Sequence, residues 1–454
     1  MTTKPLQIGL LGIGTVGKGC FDVLQRNACE IERRAGRALQ ITMVADLDVA
    51  RAQAIVGGAA QVVDDAHAVI ARPDIDVVVE LIGGYGLAKT LVLEAIAAGK
   101  HVVTANKALL ALHGDEIFAA AQARGVMVAF EAAVAGGIPI IKALREGFTA
   151  NRIEWVAGII NGTTNFILSE MRDKGLDFAA VLKQAQALGY AEADPTFDIE
   201  GIDAAHKITL MSAMAFGIPV QFGKAHVEGI TQLGAADIKY AEQLGYRIKL
   251  LGIAKRRQAD AAQGSGPGVE LRVHPTLVPA KRLIANVEGA MNAVMVQGDA
   301  VGTTLHYGKG AGAEPTASAV IADLVDIARL SSASAAQRVP HLAFQPGSFA
   351  QALGDLPVLA MRDVVTSYYL RLRVADQAGV LARVTGILAE AGISIDAVLQ
   401  READEVGGAG ATSTDVIILT HDTREGTMNA ALAQMQALPT VLAPIVRIRK
   451  EELA

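Results

Sequence analysis

Apolar positions in the first third of the chain fall in short runs, separated by stretches that repeat every three to four residues. That is the pattern of strands joined by amphipathic helices. LQIGLLGI (6–13) reads as a buried strand, followed by a glycine turn and a helix to about Arg34. ITMVADL (41–47), DVVVELIG (76–83), HVVTAN (101–106) and VMVAFEA (126–132) continue the strand series, with helices such as AKTLVLEAIAAGK between them. This alternation predicts a parallel α/β sheet over residues 1–135. Residues 136–310 mix a strand (RIEWVAGII), several helices and strand-like runs near 247–255 and 269–278, which reads as an α+β second domain. The stretch 308–330 predicts a loop and a helix that returns to complete the first domain over about 311–330. Residues 331–363, rich in Ser, Ala, Gln and Pro, read as a linker. The remainder, 364–454, alternates as βαββαβ, the order of a ferredoxin-like unit.

The length of 454 residues accommodates about three such domains. With 51% hydrophobic residues the composition excludes disorder. A net charge of −6 without a compensating basic stretch argues against nucleic acid. Lys255–Arg257 and Arg447–Lys450 read as solvated strand ends. No 18-residue apolar run lacks a charge, so no membrane span is expected. The start, MTTKPLQIGLLGIG, has no signal-peptide pattern. Cys20 and Cys29 are placed nine residues apart in one helix, where they cannot form a disulfide. A reducing, cytoplasmic location is therefore expected, and the nine scattered histidines suggest no zinc site.

Gly12, Gly14 and Gly17 stand in G-x-G-x-x-G spacing between a strand and a helix. The first permits a tight turn, the second a close approach to pyrophosphate, and the third close helix–sheet packing. Ile13, Thr15 and Val16 complete this dinucleotide-binding turn, whose helix N-terminus attracts phosphate. Asp46 ends the second strand, where an acid accepts ribose hydroxyls and favours NAD, but nearby Arg51 offers a phosphate partner. NAD and NADP both stay open.

Reducing a carbonyl requires a proton donor and stabilisation of the forming alkoxide. Lys207 follows Asp203 by four residues on an expected helix, so the carboxylate can orient the ammonium. By itself the pair reads first as a surface ion pair. Lys107 lies just past a strand's C-terminal end, where ligands bind in such sheets. Glu192, Asp194, Asp198, Glu200 and Asp203 form an acidic stretch, ordinarily a solvated loop but also a natural partner for a substrate ammonium.

GIINGTTNFIL (158–168) and AQALGYAEADPTFDIEGIDAAHKITLM (185–211), with ELIGG, VVTANKALLA, EAAVAGGIPII and GAGAEPTASAV, resemble the motifs of homoserine dehydrogenases across the first 330 residues. The resemblance implies an N-terminal Rossmann domain, an α+β catalytic and dimerisation domain, and reversible NAD(P)H-dependent interconversion of L-aspartate 4-semialdehyde and L-homoserine. It implies that Lys207 exchanges the proton with Asp203 in support. Lys107 would contact the cofactor or the reacting oxygen, with Thr104 lining the same cleft. Glu192 would bind the substrate amino group and Asp198 would shape the site. The backbone of Asn161, Gly162, Thr163 and Thr164 would face nicotinamide and substrate. The family further implies a monovalent cation, typically sodium, on the Glu131 carboxylate and the Val134, Gly136 and Ile138 carbonyls. His206 is expected to pack beside the site.

DQAGVLARVTGILAEAGISI (376–395) is similar to an ACT domain. That implies an amino-acid effector, threonine being expected, near Asp376, Ala378 and Gly379; the alternative is a domain that serves only assembly. A homodimer through the second domain is expected, or a homotetramer if the tails also pair. A different amino-acid dehydrogenase would lack NGTTN and GYAEADPT, and a non-catalytic regulator would not require both Lys107 and Lys207.

Overall fold

The computed structural model describes residues 4–259, 266–334, 337–344, 356–401 and 412–453. They belong to two units, one of residues 1–162, 203–223 and 290–356 and the other of 163–202, 224–289 and 357–454.

In the first unit six parallel strands, β1 (Leu6–Leu11), β2 (Leu39–Ala45), β3 (Gln61–Val63), β4 (Val77–Glu80), β5 (His101–Thr104) and β6 (Val128–Ala129), lie in the order 3-2-1-4-5-6. This is the Rossmann arrangement, and its order reverses between β1 and β4. The inner strands are apolar on both faces because helices cover both sides. The connecting helices are α1 (Thr15–Arg26), α2 (Ala28–Ala35), α3 (Val49–Val56), α4 (Ala66–Ala71), α5 (Gly86–Ala97) and α6 (Lys107–Arg124). A one-turn α7 (Ile140–Lys142) follows, and α11 (Ile202–Phe216) lies in this unit from Asp203 onward. Leu6, Ile8, Leu10, Val44, Val77 and Val79 form the core with Ala317, Val320 and Leu324 of α13 (Ala313–Leu330). The return of α13 to α1 needs Gly19, where a Cβ would lie 2.6 Å from the Ala313 carbonyl oxygen. Strands β7 (Ile153–Ile159), β11 (Met291–Gly298) and β12 (Gly302–Lys309) form an antiparallel ladder.

In the second unit β9 (Tyr246–Arg257) and β10 (Gly268–Pro279) pair along their whole length, and β8 (His226–Val227) runs beside β10. The sheet continues as β10-β17-β13-β15-β14, with β13 (Val365–Ala375), β14 (Ile395–Gln400), β15 (Ser413–Thr420) and β17 (Val446–Lys450); β16 (Thr423–Arg424) pairs with β13. Helices α14 (Val380–Glu390) and α15 (Glu425–Gln436) complete the ferredoxin-like βαββαβ unit, with Tyr368, Leu370, Val384, Leu388, Ile418 and Met428 in its core. The remaining helices are α8 (Gly162–Lys174), α9 (Phe178–Ala187), α10 (Thr196–Ile199) and α12 (Ala235–Gln243). Strand β17 is shared: it runs parallel to β10 and antiparallel to β13. Two buried arginines tie the seam, with Arg449 gripping Glu425 and the partly exposed Glu228, and Arg272 gripping Glu270 and Glu451.

Several expected elements differ in detail. The helix expected to run to Arg34 breaks at Asn27, so Cys20 and Cys29 occupy different helices, one buried and one exposed. The strand expected over 126–132 stops at Ala129, because the N–H of Glu131 is drawn to Asp323 at 2.8 Å. The hairpin β11–β12 was not anticipated; the polar residues along TTLHYGK mask its alternation. Within 136–310, residues 136–162, 203–223 and 290–310 fall in the first unit and 163–202 and 224–289 in the second. Parts of the expected linker 331–363 and of the expected βαββαβ unit over 364–454 lie outside the described residues. Among the described residues no helix is long and apolar enough to cross a membrane.

Candidate active site

The three fingerprint glycines divide their work as their spacing suggests. Gly12 has φ of 88°, and a Cβ there would lie 2.9 Å from the Leu81 carbonyl oxygen. At Gly17 a Cβ would lie 2.2 Å from the Gly12 carbonyl oxygen, whereas nothing lies within 4 Å of one at Gly14. Backbone therefore closes on both flanking glycines and leaves room at the middle one. Ile13 is buried in this turn, and Thr15 and Val16 open α1, whose N-terminus has no side-chain cap. Its N–H groups remain available to an anion. Asp46 stabilises the turn itself: its carboxylate accepts Ile13 N at 2.8 Å and Asp48 N at 3.0 Å, and pairs with Arg51 at 3.2 Å. Burial raises its pKa, but those backbone donors and Arg51 outweigh burial and hold it below the usual range.

Asp203 organises the charged centre of this unit. One carboxylate oxygen accepts Lys207 Nζ at 2.7 Å and Asn161 Nδ2 at 2.9 Å, and the other pairs with Lys107 Nζ at 3.0 Å. Lys207 also donates to the Ile160 carbonyl at 2.8 Å. Burial opposes ionisation of Asp203, yet the two ammonium groups and Asn161 hold it well below the ordinary carboxylate range. Sequence spacing found the Asp203–Lys207 pair. It missed the side chain of Asn161, noted only for its backbone, because nothing local signals a bond across 42 residues. His206 is buried with its ring 4.3 Å from that of Phe222, and burial lowers its pKa to about 4. It is neutral near pH 7. Gly162 is required where it stands, since a Cβ would lie 2.8 Å from the Ala290 carbonyl oxygen. Thr104 is buried, and its hydroxyl donates to Glu80 at 2.7 Å.

Glu131 is buried at the end of the sheet, where its carboxylate accepts the N–H groups of Ile141 (2.9 Å) and Lys142 (2.8 Å) at α7. Burial pushes its pKa up to about 6, and that of neighbouring Asp323 to about 7 with Glu131's charge adding. The following loop turns sharply through Ala135 and Gly136, with φ of 56° and 50°. A Cβ at Gly136 would lie 2.4 Å from the Gly310 carbonyl oxygen. Ile138 accepts Ile140 N at 2.8 Å, but no backbone N–H among the described residues donates to the carbonyls of Val134 or Gly136.

Within the second unit the Thr163 hydroxyl donates to the Tyr190 carbonyl at 2.6 Å and lies 3.3 Å from Asp198. Glu192 is exposed, and Gln186 holds its carbonyl at 3.1 Å. Asp376, Ala378 and Gly379 form an exposed turn between β13 and α14, with Gly379 at φ 86°.

A family model described as homoserine dehydrogenase matches residues 139–325, its NAD-binding domain matches 12–131, and an ACT domain matches 368–439. The homoserine dehydrogenase of Pseudomonas aeruginosa is 58% identical over 99% of this chain and 100% of its own length. That of Neisseria gonorrhoeae is 57% identical over 99% of both. A crystal structure of a homoserine dehydrogenase from Thiobacillus denitrificans superposes with a TM-score of 0.92 at 61% identity, covering all of both chains.

Proposed function

The chain belongs to the homoserine dehydrogenase family, and from that premise we propose that it interconverts L-aspartate 4-semialdehyde and L-homoserine with NAD(P)H. Its place is then the synthesis of threonine, methionine and isoleucine in the cytoplasm. The observation that carries this reading is one buried carboxylate, Asp203, holding two lysines of different segments at hydrogen-bond distance. Such a pair of cations around one anion suits a reaction that generates negative charge on oxygen.

The open space at Gly14 and the uncapped start of α1 fit a dinucleotide pyrophosphate. A bound nicotinamide cofactor supplies or removes the two electrons of the reaction. Lys207 donates a proton to the carbonyl oxygen on reduction and removes it from the hydroxyl on oxidation. Asp203 orients that ammonium and favours its charged form, and Lys107 adds a second positive charge near the developing alkoxide. Glu192 pairs with the substrate ammonium, while Asp198 and Gly162 to Thr164 shape the pocket.

The loop after β6 fits a monovalent cation, because the Val134 and Gly136 carbonyls have no backbone donor among the described residues and Glu131 supplies a carboxylate. Glu131, Val134, Gly136 and Ile138 would hold sodium, which would supply a fixed positive charge to a buried acidic loop. The exposed turn at Asp376, Ala378 and Gly379 offers the C-terminal domain a place for an effector, and threonine inhibits through it. The assembly is a homodimer, or a homotetramer if these domains also pair.

Homoserine-dependent reduction of NAD⁺ and NADP⁺ tests the reading in wild type and Lys207→Ala. Inactivity of wild type toward homoserine overturns the substrate, and full turnover by the variant overturns the role of Lys207. Wild-type rates unchanged by added threonine overturn the inhibition.

A further inference from the structure

Glu80 ends β4 fully buried, an acid at the C-terminal edge of the parallel sheet that none of the roles above employs. Its carboxylate joins three segments. One oxygen accepts the N–H groups of Ile82 at 3.0 Å and Gly83 at 3.3 Å, shaping a turn in which Gly83 and Gly84 have φ of 75° and 68°. The other accepts the Thr104 hydroxyl at 2.7 Å, and that hydroxyl accepts Asn106 N–H at 3.0 Å. Asn106 closes the ring. Its side-chain amide donates to the Gly84 carbonyl, and its oxygen caps α6 through Leu109 N–H at 3.0 Å. Lys107 is the first residue of that helix, so its backbone is set by this ring while its ammonium reaches Asp203.

We propose that Glu80, Thr104 and Asn106 are positioning residues that fix the backbone of Lys107 relative to the turn 82–84, so that its ammonium meets Asp203 in one geometry. The proposal rests on the placement of Lys107 in the active site. Each member is buried and accepts or donates at fixed atoms, so the ring has one arrangement. A ring serving only the core would cost stability when broken, with turnover of the folded enzyme preserved. A positioning ring costs turnover in enzyme that stays folded, because small misplacements of a catalytic group are expensive in rate.

Thr104→Val conserves shape and removes both hydroxyl bonds. We expect kcat for homoserine oxidation to fall by about tenfold to a hundredfold, with the homoserine KM changed by less than about threefold. Thr104→Ser, which keeps the hydroxyl, should recover most of the loss. Combining Thr104→Val with Lys107→Ala should lower kcat little beyond Lys107→Ala alone, since the ring acts through that lysine. If Thr104→Val does not fold, Asn106→Asp, which keeps the cap oxygen and loses the donor to Gly84, provides the same readouts. Wild-type kcat in the folded ring variant overturns the proposal, as does a loss that Thr104→Ser fails to recover. An impaired Lys107→Ala with fully additive losses overturns the ring alone. Wild-type kcat in Lys107→Ala overturns the placement of Lys107 and the ring with it.

Discussion

Replacing Asp203 by Asn removes one charge from the point where two cations converge. Contacts of 2.7 and 3.0 Å each correspond to ~6 kcal/mol of Coulomb attraction at an effective dielectric of about 20, before desolvation is subtracted. Breaking a buried pair by removing one partner costs about 3–5 kcal/mol net. The side chain of Lys107 is 33% exposed against 11% for Lys207, so solvent screens its share and most of the penalty falls on Lys207. Without the carboxylate, the two ammonium groups that gripped its oxygens repel each other with no anion between them. That repulsion, screened by solvent on the Lys107 side, lowers the pH at which Lys207 loses its proton and so moves the rising limb of the pH–rate profile for homoserine oxidation toward acid. The expected kcat/KM is lower by about a hundredfold or more, because Lys207 loses both its orientation and its charged partner. The assay is initial-rate homoserine oxidation from pH 6 to 10 for wild type, Asp203→Asn and Asp203→Glu, with circular dichroism to confirm folding. A folded Asp203→Asn enzyme with an unshifted limb and wild-type kcat/KM would mean that the carboxylate neither orients Lys207 nor holds its charge.

Gly14→Ala should keep the wild-type thermal midpoint and raise the cofactor KM about tenfold or more, whereas Gly17→Ala should destabilise by about 1–3 kcal/mol; equal effects at both positions in calorimetry and kinetics contradict the assigned roles. Replacing sodium by choline at constant ionic strength should lower the thermal midpoint by a few degrees, about 1–3 kcal/mol, with saturable recovery on adding sodium; an unchanged midpoint removes the cation from the loop. Burial brings the pKa of Lys249 down to about 8, where it donates to the Val287 carbonyl at 2.6 Å. The unfolded chain, with its lysine near the ordinary value, then binds more protons between pH 8 and about 10.5, so stability rises with pH across that window by up to ~3 kcal/mol. The midpoint of wild type relative to Lys249→Met should therefore increase from pH 7.5 to 10, and a pH-independent difference argues against the titration.

Local pattern carried the sequence reading where chemistry is local. The apolar runs of β1, β2, β4 and β5 and the glycine spacing depend on neighbours within a few residues, and each stands where it was expected within a few positions. The i,i+4 spacing likewise found Asp203 and Lys207. Partners distant in sequence escaped it. Asn161 reaches Asp203 from the end of β7, and Glu80 meets Thr104 only because β4 and β5 are neighbours. Glu80 did leave one signal, an acid closing an otherwise apolar buried strand, since such a charge persists in a core only with donors around it. The pairing of β7 was hidden for the same reason, since its partner β11 lies well over a hundred residues later.

The sharing of β17 has a consequence for the timing of synthesis. Strand β10 ends at Pro279, and the strand that pairs with its Thr276–Leu277 stretch is made of residues 446–450. At about 5–20 residues per second, an emerging chain leaves that stretch without its partner strand for roughly ten to thirty seconds. During that interval Arg272 and Glu270, both destined for burial, lack Glu451. Their charge is then an asset: an edge lined with ions resists pairing with another nascent chain until its own strand arrives.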